Sequence, residues 1–438
     1  MRRSLARFSD GVLTRLALPT LQQFLRQRAT LVCGSFLVIV CFGALAFWLP
    51  LGLTSAPIRF VDAWLIAVSA MTATGSSSFD ITQICTPAGY VLLAVLFHIG
   101  GIGFMSICLT ILQQFGVRVF RSRILSGWRL LAGALAIELW VTLLLALSER
   151  TLSDEPWQRW GIAFWRASSA FANVGFVSPM GTTSTGFDIP STAVLAITML
   201  IGSLGLPVLV DIVTRNRRMP QTSINIVVTI VLLLSGAVLI ALDPLWHIAH
   251  TGMTAFEKGF IAFNEALTWR TSGYFATTDI MTLSVLTRAV LLVGMFLGCA
   301  PGAMGGGITP TTFAVFVAGV VRSVRGDQTV MLMGQRVSAV VVQRALFILA
   351  LGISVVLLCT LGLVLIDRVN PAQAVMMATA AYATSNVEVV SYATLHPASL
   401  TILSIAMLWG RVGVFAIVLS LYGRATPKSN QAQDIWLG

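Results

Sequence analysis

Four short stretches of small polar residues carry most of the neutral oxygen ligands that could do chemistry in this 438-residue chain. They are Thr72-Ala73-Thr74-Gly75, Ala172-Asn173-Val174-Gly175, Arg270-Thr271-Ser272-Gly273 and Ala383-Thr384-Ser385-Asn386. Gly permits backbone angles that turn successive carbonyls toward one point. Thr or Ser beside it adds a hydroxyl oxygen. Oxygens gathered on one axis can replace the hydration shell of a cation. A large monovalent cation suits such a ring, which supplies no full charge. Taken singly, each stretch is equally an ordinary turn between helices. Their last residues fall at 75, 175, 273 and 386, intervals of 100, 98 and 113. Four in register favour the ion-coordinating reading, because a fixed period marks an internal repeat.

Other chemistries find little support. The six Cys show no paired CxxC spacing; Cys33, Cys41, Cys108 and Cys359 lie in apolar runs, Cys299 in a Gly-rich break and Cys85 in a loop. Neither a disulfide set nor a zinc site is expected. The four His have no metal-ligand spacing, and the apolar runs hold no His/Asp/Ser cluster, so an enzyme is not expected. No cofactor-binding fingerprint is present: any nucleotide control must come from a partner.

The elements that must position the four stretches are membrane helices. Only 10% of the residues are charged and 56% are hydrophobic, with mean hydropathy +0.87. A soluble domain carries roughly 25% charged residues. This composition excludes a soluble enzyme, a disordered chain and a disulfide scaffold. Apolar runs at Thr30–Leu51, Ala88–Phe115, Leu130–Leu147, Thr192–Val213, Ser223–Leu242, Leu283–Val321, Ala345–Ile366 and Ser399–Leu421 give eight expected spans. Between alternate pairs lie half-apolar segments at Phe60–Met71, Trp157–Ala170, Ala255–Thr268 and Pro371–Ala383. These are too short to cross and suit re-entrant helices. The expected fold is an all-α integral membrane protein of four parallel repeats, each span, re-entrant helix, span, around a central pseudo-fourfold pore. The repeats cover 30–120, 121–218, 219–335 and 336–424, after a segment 1–29 and before a tail 425–438.

Nineteen of the 28 basic residues fall in the N-terminal segment, the loops near 116–130, 214–222 and 322–344, and the tail. The positive-inside rule therefore puts both termini in the cytoplasm. The net charge of +11 is mostly a topology signal. No segment offers the folded basic surface that nucleic acid requires, and the Arg-rich first 29 residues do not read as a cleaved signal peptide.

These motifs together resemble the Trk/Ktr/HKT superfamily of potassium transporters over nearly the whole chain. Ser69-Ala70-Met71-Thr72-Ala73-Thr74-Gly75 is similar to the first filter of that family. Ser169-Ala170-Phe171-Ala172-Asn173-Val174-Gly175-Phe176 and Arg270-Thr271-Ser272-Gly273-Tyr274 are similar to the second and third. His98-Ile99-Gly100-Gly101-Ile102-Gly103 and Ile201-Gly202-Ser203-Leu204-Gly205-Leu206-Pro207 resemble its Gly-rich second helices. Pro301-Gly302-Ala303-Met304-Gly305-Gly306-Gly307-Ile308-Thr309-Pro310-Thr311-Thr312-Phe313 is the most specific match, and Gly410-Arg411-Val412-Gly413 resembles the GRVG of the last helix. With eight spans the chain is closer to the Ktr pore subunit than to the longer Trk type.

The resemblance implies potassium uptake through the pore subunit of a bacterial inner-membrane system. It implies K+ at the backbone carbonyls of the filter, a homodimer, and a cytoplasmic regulatory subunit with a nucleotide-binding RCK fold. Gly302, Gly305, Gly306 and Gly307 would form the intramembrane gate, where Gly and Pro interrupt the third repeat near mid-membrane. Arg411 would sit in the pore below the filter; an ion pair with Glu138 or Asp211 is the alternative. Glu138 suits a structural hydrogen bond, Asp211 a cap on a basic loop, and Arg270 an outer-rim salt bridge with Glu265 or Asp279.

Two positions depart from the family pattern. Asn386 stands where the fourth filter usually has Gly. Asn tolerates φ > 0 best among non-Gly residues, but its side chain would intrude on the ion path and puts potassium over sodium selectivity in doubt. Thr309 stands where the gate motif usually has Lys, and Pro310 follows it. The rivals are a sodium-permeable or weakly selective cation channel of the same fold and, with less support, a carrier for an organic solute. The carrier would need two inverted halves.

Overall fold

The computed structural model describes residues 32–108, 127–148, 155–176, 189–213, 220–271, 279–326 and 330–413. Within them the regular elements are helices apart from one small hairpin. The principal helices are α1 (Val32–Trp48), α2 (Phe60–Thr72), α3 (Pro87–Cys108, through a π turn at Ile99–Gly103), α4 (Gly127–Ser148) and α5 (Pro156–Phe171). Next come α6 (Ile189–Leu204), α7 (Leu206–Val213), α8 (Pro220–Leu242), α9 (Ala255–Thr271) and α10 (Val285–Phe296). The last are α11 (Pro310–Arg325), α12 (Ala339–Asp367), α13 (Pro371–Ala383) and α14 (Pro397–Leu408, running into a π turn at Trp409–Gly413).

Local chemistry sets the helix starts. Pro occupies the first turn of α3, α5, α11, α13 and α14. There its fixed φ suits the helix and its missing N–H costs nothing. Thr86, Ser284, Thr309, Ser338 and Asn370 accept hydrogen bonds from first-turn N–H groups as caps.

Among the described residues, four helices are long and apolar enough to cross a bilayer: Pro87–Cys108, Arg129–Ser148, Pro220–Leu242 and Ala339–Asp367. The expected span Thr192–Val213 is not straight. It breaks between α6 and α7 with a 100° bend, at Gly205 with φ 79°. The other three expected spans are shorter pieces among the described residues: α1, the interrupted α10 and α11, and 397–413.

Burial is inverted relative to a soluble protein. Large apolar side chains on α1 and α12 face outward, such as Val38 (69% exposed), Leu358 (69%) and Leu365 (70%). The short helices α2, α5, α9 and α13 are the core, and their last turns are fully covered. Only an apolar solvent makes that arrangement favourable. At 13 residues, α2 and α13 reach about 20 Å and cannot span the ~30 Å hydrocarbon layer. α5 packs between α4 and α6, α9 between α8 and α10, and α13 between α12 and α14. Contacts then run from α3 to α4, α6 to α9, α10 to α13, and α14 back to α2, closing a ring.

One element departs from the all-α expectation. Val330–Leu332 and Gln335–Val337 pair antiparallel, with Val330 opposite Val337. Met333 and Gly334 between them both have positive φ, as a two-residue hairpin turn requires.

Asp243 ties three helix ends together. Its Oδ1 accepts from the N–H of Leu245 (3.1 Å) and Trp246 (3.4 Å), and its Oδ2 from the Ser284 N–H (2.9 Å) and the Thr287 hydroxyl (2.7 Å). Burial pushes the carboxyl up, but the bonds from Thr287, Ser284 and Trp246 outweigh it and hold it at about 2. A carboxyl held low stabilises the fold fully above its ordinary 3.8, and the contribution is lost as pH falls toward 2. The depression corresponds to about 2 kcal/mol. Asp243→Asn should therefore lower thermal stability in detergent at pH 7, and the gap should close near pH 2. A gap unchanged with pH would mean the charge does no stabilising.

Candidate functional site

Three of the short helices end in the same way. Ala73 (φ 59°), Asn173 (φ 54°) and Thr384 (φ 53°) are left-handed. Their N–H groups donate to the carbonyls of Ala70, Ala170 and Ala381 at 3.1, 3.2 and 3.3 Å. The next N–H groups, of Thr74, Val174 and Ser385, donate to Ser69, Ser169 and Ala380 at 2.8, 3.0 and 2.8 Å. This is the Schellman arrangement, which satisfies carbonyls a buried helix end would otherwise orphan. It also turns the chain sharply into an extended segment inside the protein. A non-Gly residue in that conformation costs roughly 1–2 kcal/mol, so the surrounding structure must impose it. The fourth helix, α9, runs through Thr271; Ser272 and Gly273 lie outside the described residues.

The sequence placed the conformational demand on the terminal glycines. Gly75 (φ 88°) and Gly175 (φ 81°) do have positive φ. Asn386 does not, contrary to expectation: in the fourth stretch only Thr384 is left-handed. The left-handed residues two places earlier were missed. Asn173 carried a signal, since Asn tolerates that region; Ala73 and Thr384 carried none.

Glycines of the second helices dock on these helix ends. A Cβ on Gly100, Gly202 or Gly410 would overlap the carbonyl oxygen of Met71, Phe171 or Tyr382. Each of those carbonyls stands two residues before a left-handed residue. Gly298, the matching glycine after α10, meets the Gly306 carbonyl instead.

The stretches meet one another. Thr72, Ala73, Thr74, Asn173, Val174, Thr384 and Ser385 are fully buried, and Thr271 nearly so. A Cβ on Gly75 would overlap the Val174 carbonyl. The Ser385 hydroxyl donates to the Trp269 carbonyl (3.1 Å). The Asn386 Nδ2 donates to the Gly175 carbonyl (3.0 Å), and the Ser76 hydroxyl donates to Asn386 Oδ1 (3.3 Å).

The Gly-rich loop 297–309 lies against this cluster and is held by several elements. Gly302 (φ 76°) and Gly307 (φ 88°) supply its left-handed turns. The Ala300 and Met304 N–H groups donate to Ser203 and Gly202 at the end of α6, and Leu206 N–H donates back to Gly302. That contact explains the bend at Gly205, where a Cβ would crowd Pro301 and Ala303. The Gly306 N–H donates to the Thr384 hydroxyl at 2.7 Å. Gly305 packs on Cys299, and Gly306 on Thr384 and the Gly410 carbonyl.

Two buried arginines hold the same loop. Arg411 (2% exposed) donates through Nη1 to the carbonyls of Met304 and Ala303 (the latter 3.5 Å). Its Nη2 donates to Gly100 (3.2 Å) and Gly101 (3.3 Å). Its partners are thus carbonyls, rather than Glu138 or Asp211. Arg270 does not occupy an outer rim: it is 3% exposed, and its Nη2 donates to the Gly298 carbonyl (2.9 Å) and the Thr229 hydroxyl (3.3 Å). The expected rim salt bridge is replaced by loop anchoring, because the end of α9 points inward toward that loop. Glu138 is fully buried; it accepts from the Ser168 hydroxyl (3.1 Å) and meets His98 Nε2 (2.9 Å). That pairing has no local signal, since 40 residues separate His98 and Glu138.

Comparison with known proteins agrees with this geometry. The model of the TrkH family, described as a cation transport protein, matches residues 123–427. Ktr system potassium uptake protein D of Bacillus subtilis is 26% identical over 403 residues, covering 85% of this chain and 87% of its own. Potassium/sodium uptake protein NtpJ of Enterococcus hirae is 25% identical over 357 residues, 76% of this chain and 78% of its own. The crystal structure of the potassium transporter TrkH from Vibrio parahaemolyticus superposes with a TM-score of 0.72 at 19% identity, over 92% of this chain and 85% of its own. With that match over most of its length, and four lipid-length apolar helices around a buried cluster of helix ends, the chain is a membrane protein of the TrkH cation transport family.

Proposed function

We propose that this chain is the ion-conducting subunit of a Trk/Ktr-type potassium-uptake system in a bacterial inner membrane, with both termini cytoplasmic. The observation that carries the reading is the convergence of Schellman-ended helices on adjoining carbonyl-rich stretches, with an arginine-held glycine loop against them. Four parallel repeats (30–120, 121–218, 219–335 and 336–424) and eight spans are the architecture that this ring of short helices supports.

In this reading Thr72, Ala73, Thr74, Gly75, Asn173, Val174, Gly175, Thr271, Ser272, Gly273, Thr384, Ser385 and Asn386 line the selectivity filter. Buried, pre-turned carbonyls exchange for water at the ion without a covalent step. The ion then moves down its electrochemical gradient. Gly302, Gly305, Gly306 and Gly307 form the gate, and Arg411 latches it to the carbonyls of α3. A homodimer and an RCK-type regulatory subunit complete the system. Thr384 joins the two parts, since its backbone turns the filter and its hydroxyl holds Gly306. Sodium permeation is the second reading, favoured by Asn386 and by the similarity to a potassium/sodium uptake protein of Enterococcus hirae.

Expression in a potassium-uptake-deficient bacterium should restore growth at low potassium and produce Rb+ influx exceeding Na+ influx. A well-expressed chain that carries no Rb+ would refute the uptake reading. Equal Rb+ and Na+ influx would favour the second.

A further inference from the structure

The matching positions of the four stretches hold three glycines and one side chain: Gly75, Gly175, Gly273 and Asn386. We propose that Asn386 is a built-in competitor for the permeating cation at the Gly175 carbonyl, and so a determinant of apparent ion affinity. This rests on the reading of the stretches as a filter.

The geometry fixes how the amide is turned. The Gly175 carbonyl can only accept, so the group facing it at 3.0 Å is the Nδ2 amine. The amide oxygen then faces the Ser76 hydroxyl at 3.3 Å, which donates to it. The side chain is thus tied at both ends, across segments more than 200 residues apart in the sequence. Its Nδ2 also lies 3.2 Å from the place a Cβ on Gly75 would take. It therefore sits where the first, second and fourth stretches adjoin. An N–H group brings partial positive charge to the same oxygen a cation would use. In the first two stretches the matching position is a glycine and brings no such group.

The tether is weak enough to yield. Asn386 is only half-buried, and a neutral hydrogen bond shifts an equilibrium by about fivefold. The amide therefore raises the cation concentration needed to occupy the site without closing it. Ser76 acts on this indirectly, as a positioning residue that keeps the amide facing Gly175.

The test is the concentration dependence of Rb+ influx into proteoliposomes containing the full chain. Asn386→Ala should lower the half-saturating Rb+ concentration about fivefold. Ser76→Ala keeps the asparagine but frees its oxygen, and should lower half-saturation by a smaller factor. Asn386→Asp replaces the donor by an acceptor, so half-saturation should fall at least as far as in the alanine variant. A purely structural role would change the maximal rate or the yield of folded protein, and leave half-saturation alone. If Asn386→Ala does not fold, Ser76→Ala decides. Half-saturation unchanged in every variant that folds overturns the proposal while leaving the uptake reading intact. An unaltered chain that carries no Rb+ overturns both.

Discussion

Arg411→Ala is expected to raise Rb+ influx through the chain at least about tenfold. The guanidinium joins two segments by hydrogen bonds: the carbonyls of Gly100 and Gly101 in α3 and those of Ala303 and Met304 in the loop. Each hydrogen bond to a charged group is worth roughly 1.5–3 kcal/mol. On the proposed gating role, losing one such bond on the loop side shifts the loop away from the position Arg411 holds by a factor of about ten or more. Removing the charge acts in the same direction, because a fixed positive charge beside an ion path repels cations. The carbonyls it leaves can be hydrated once the loop moves, which favours the open state further. Arg411→Lys separates the two effects. It keeps the charge but lacks the planar fork that serves both segments at once, so influx should rise less. Rb+ influx at or below that of the unaltered chain in a folded Arg411→Ala protein would remove Arg411 from control of the loop.

Gly410→Ala, Gly100→Ala and Gly202→Ala should each abolish folded protein or cost more than about 3 kcal/mol. The added methyl would coincide with the carbonyl oxygen of Tyr382, Met71 or Phe171. Overpacking against a flexible side chain typically costs about 1–3 kcal/mol. Here the obstacle is backbone, at a helix end already fixed by two Schellman hydrogen bonds, so relaxation would shift the carbonyls that follow. Gly34→Ala and Gly133→Ala are the controls, because nothing lies within 4 Å of their added methyls. Yield and melting temperature in detergent would report the difference. Controls and test variants melting alike would mean the packing is softer than its geometry.

That short helices end at Thr72, Phe171 and Ala383 was legible in the sequence because apolar runs and small-residue stretches are local signals; most of the third stretch lies outside the described residues. Thr72 to Gly75 followed a segment too short to cross a membrane, and so had to end inside one. Arg270 was misread for a related reason. A charge beside a candidate filter suits a rim, and nothing local distinguishes that from an anchor on a loop 28 residues away. Asn386 was flagged as an intruding side chain. Its true constraint is a hydrogen-bond pair rather than a positive φ, and its partners Ser76 and Gly175 lie 310 and 211 residues away in the sequence.

The sequence by itself determined that the chain lives in a membrane and that polar stretches follow its short apolar segments at intervals of about 100 residues. Both follow from composition and spacing, which no fold can alter. Tertiary structure alone decided which atoms face one another at those stretches. The left-handed turns at Ala73 and Thr384 are imposed against local preference, and the bend at Gly205 is made by a loop about 100 residues later. Arg411 finds its carbonyls on segments more than 100 and more than 300 residues away. Such contacts form because a buried charge or carbonyl must find a partner once water is excluded, and the partner it finds is whichever group the packed helices bring within reach.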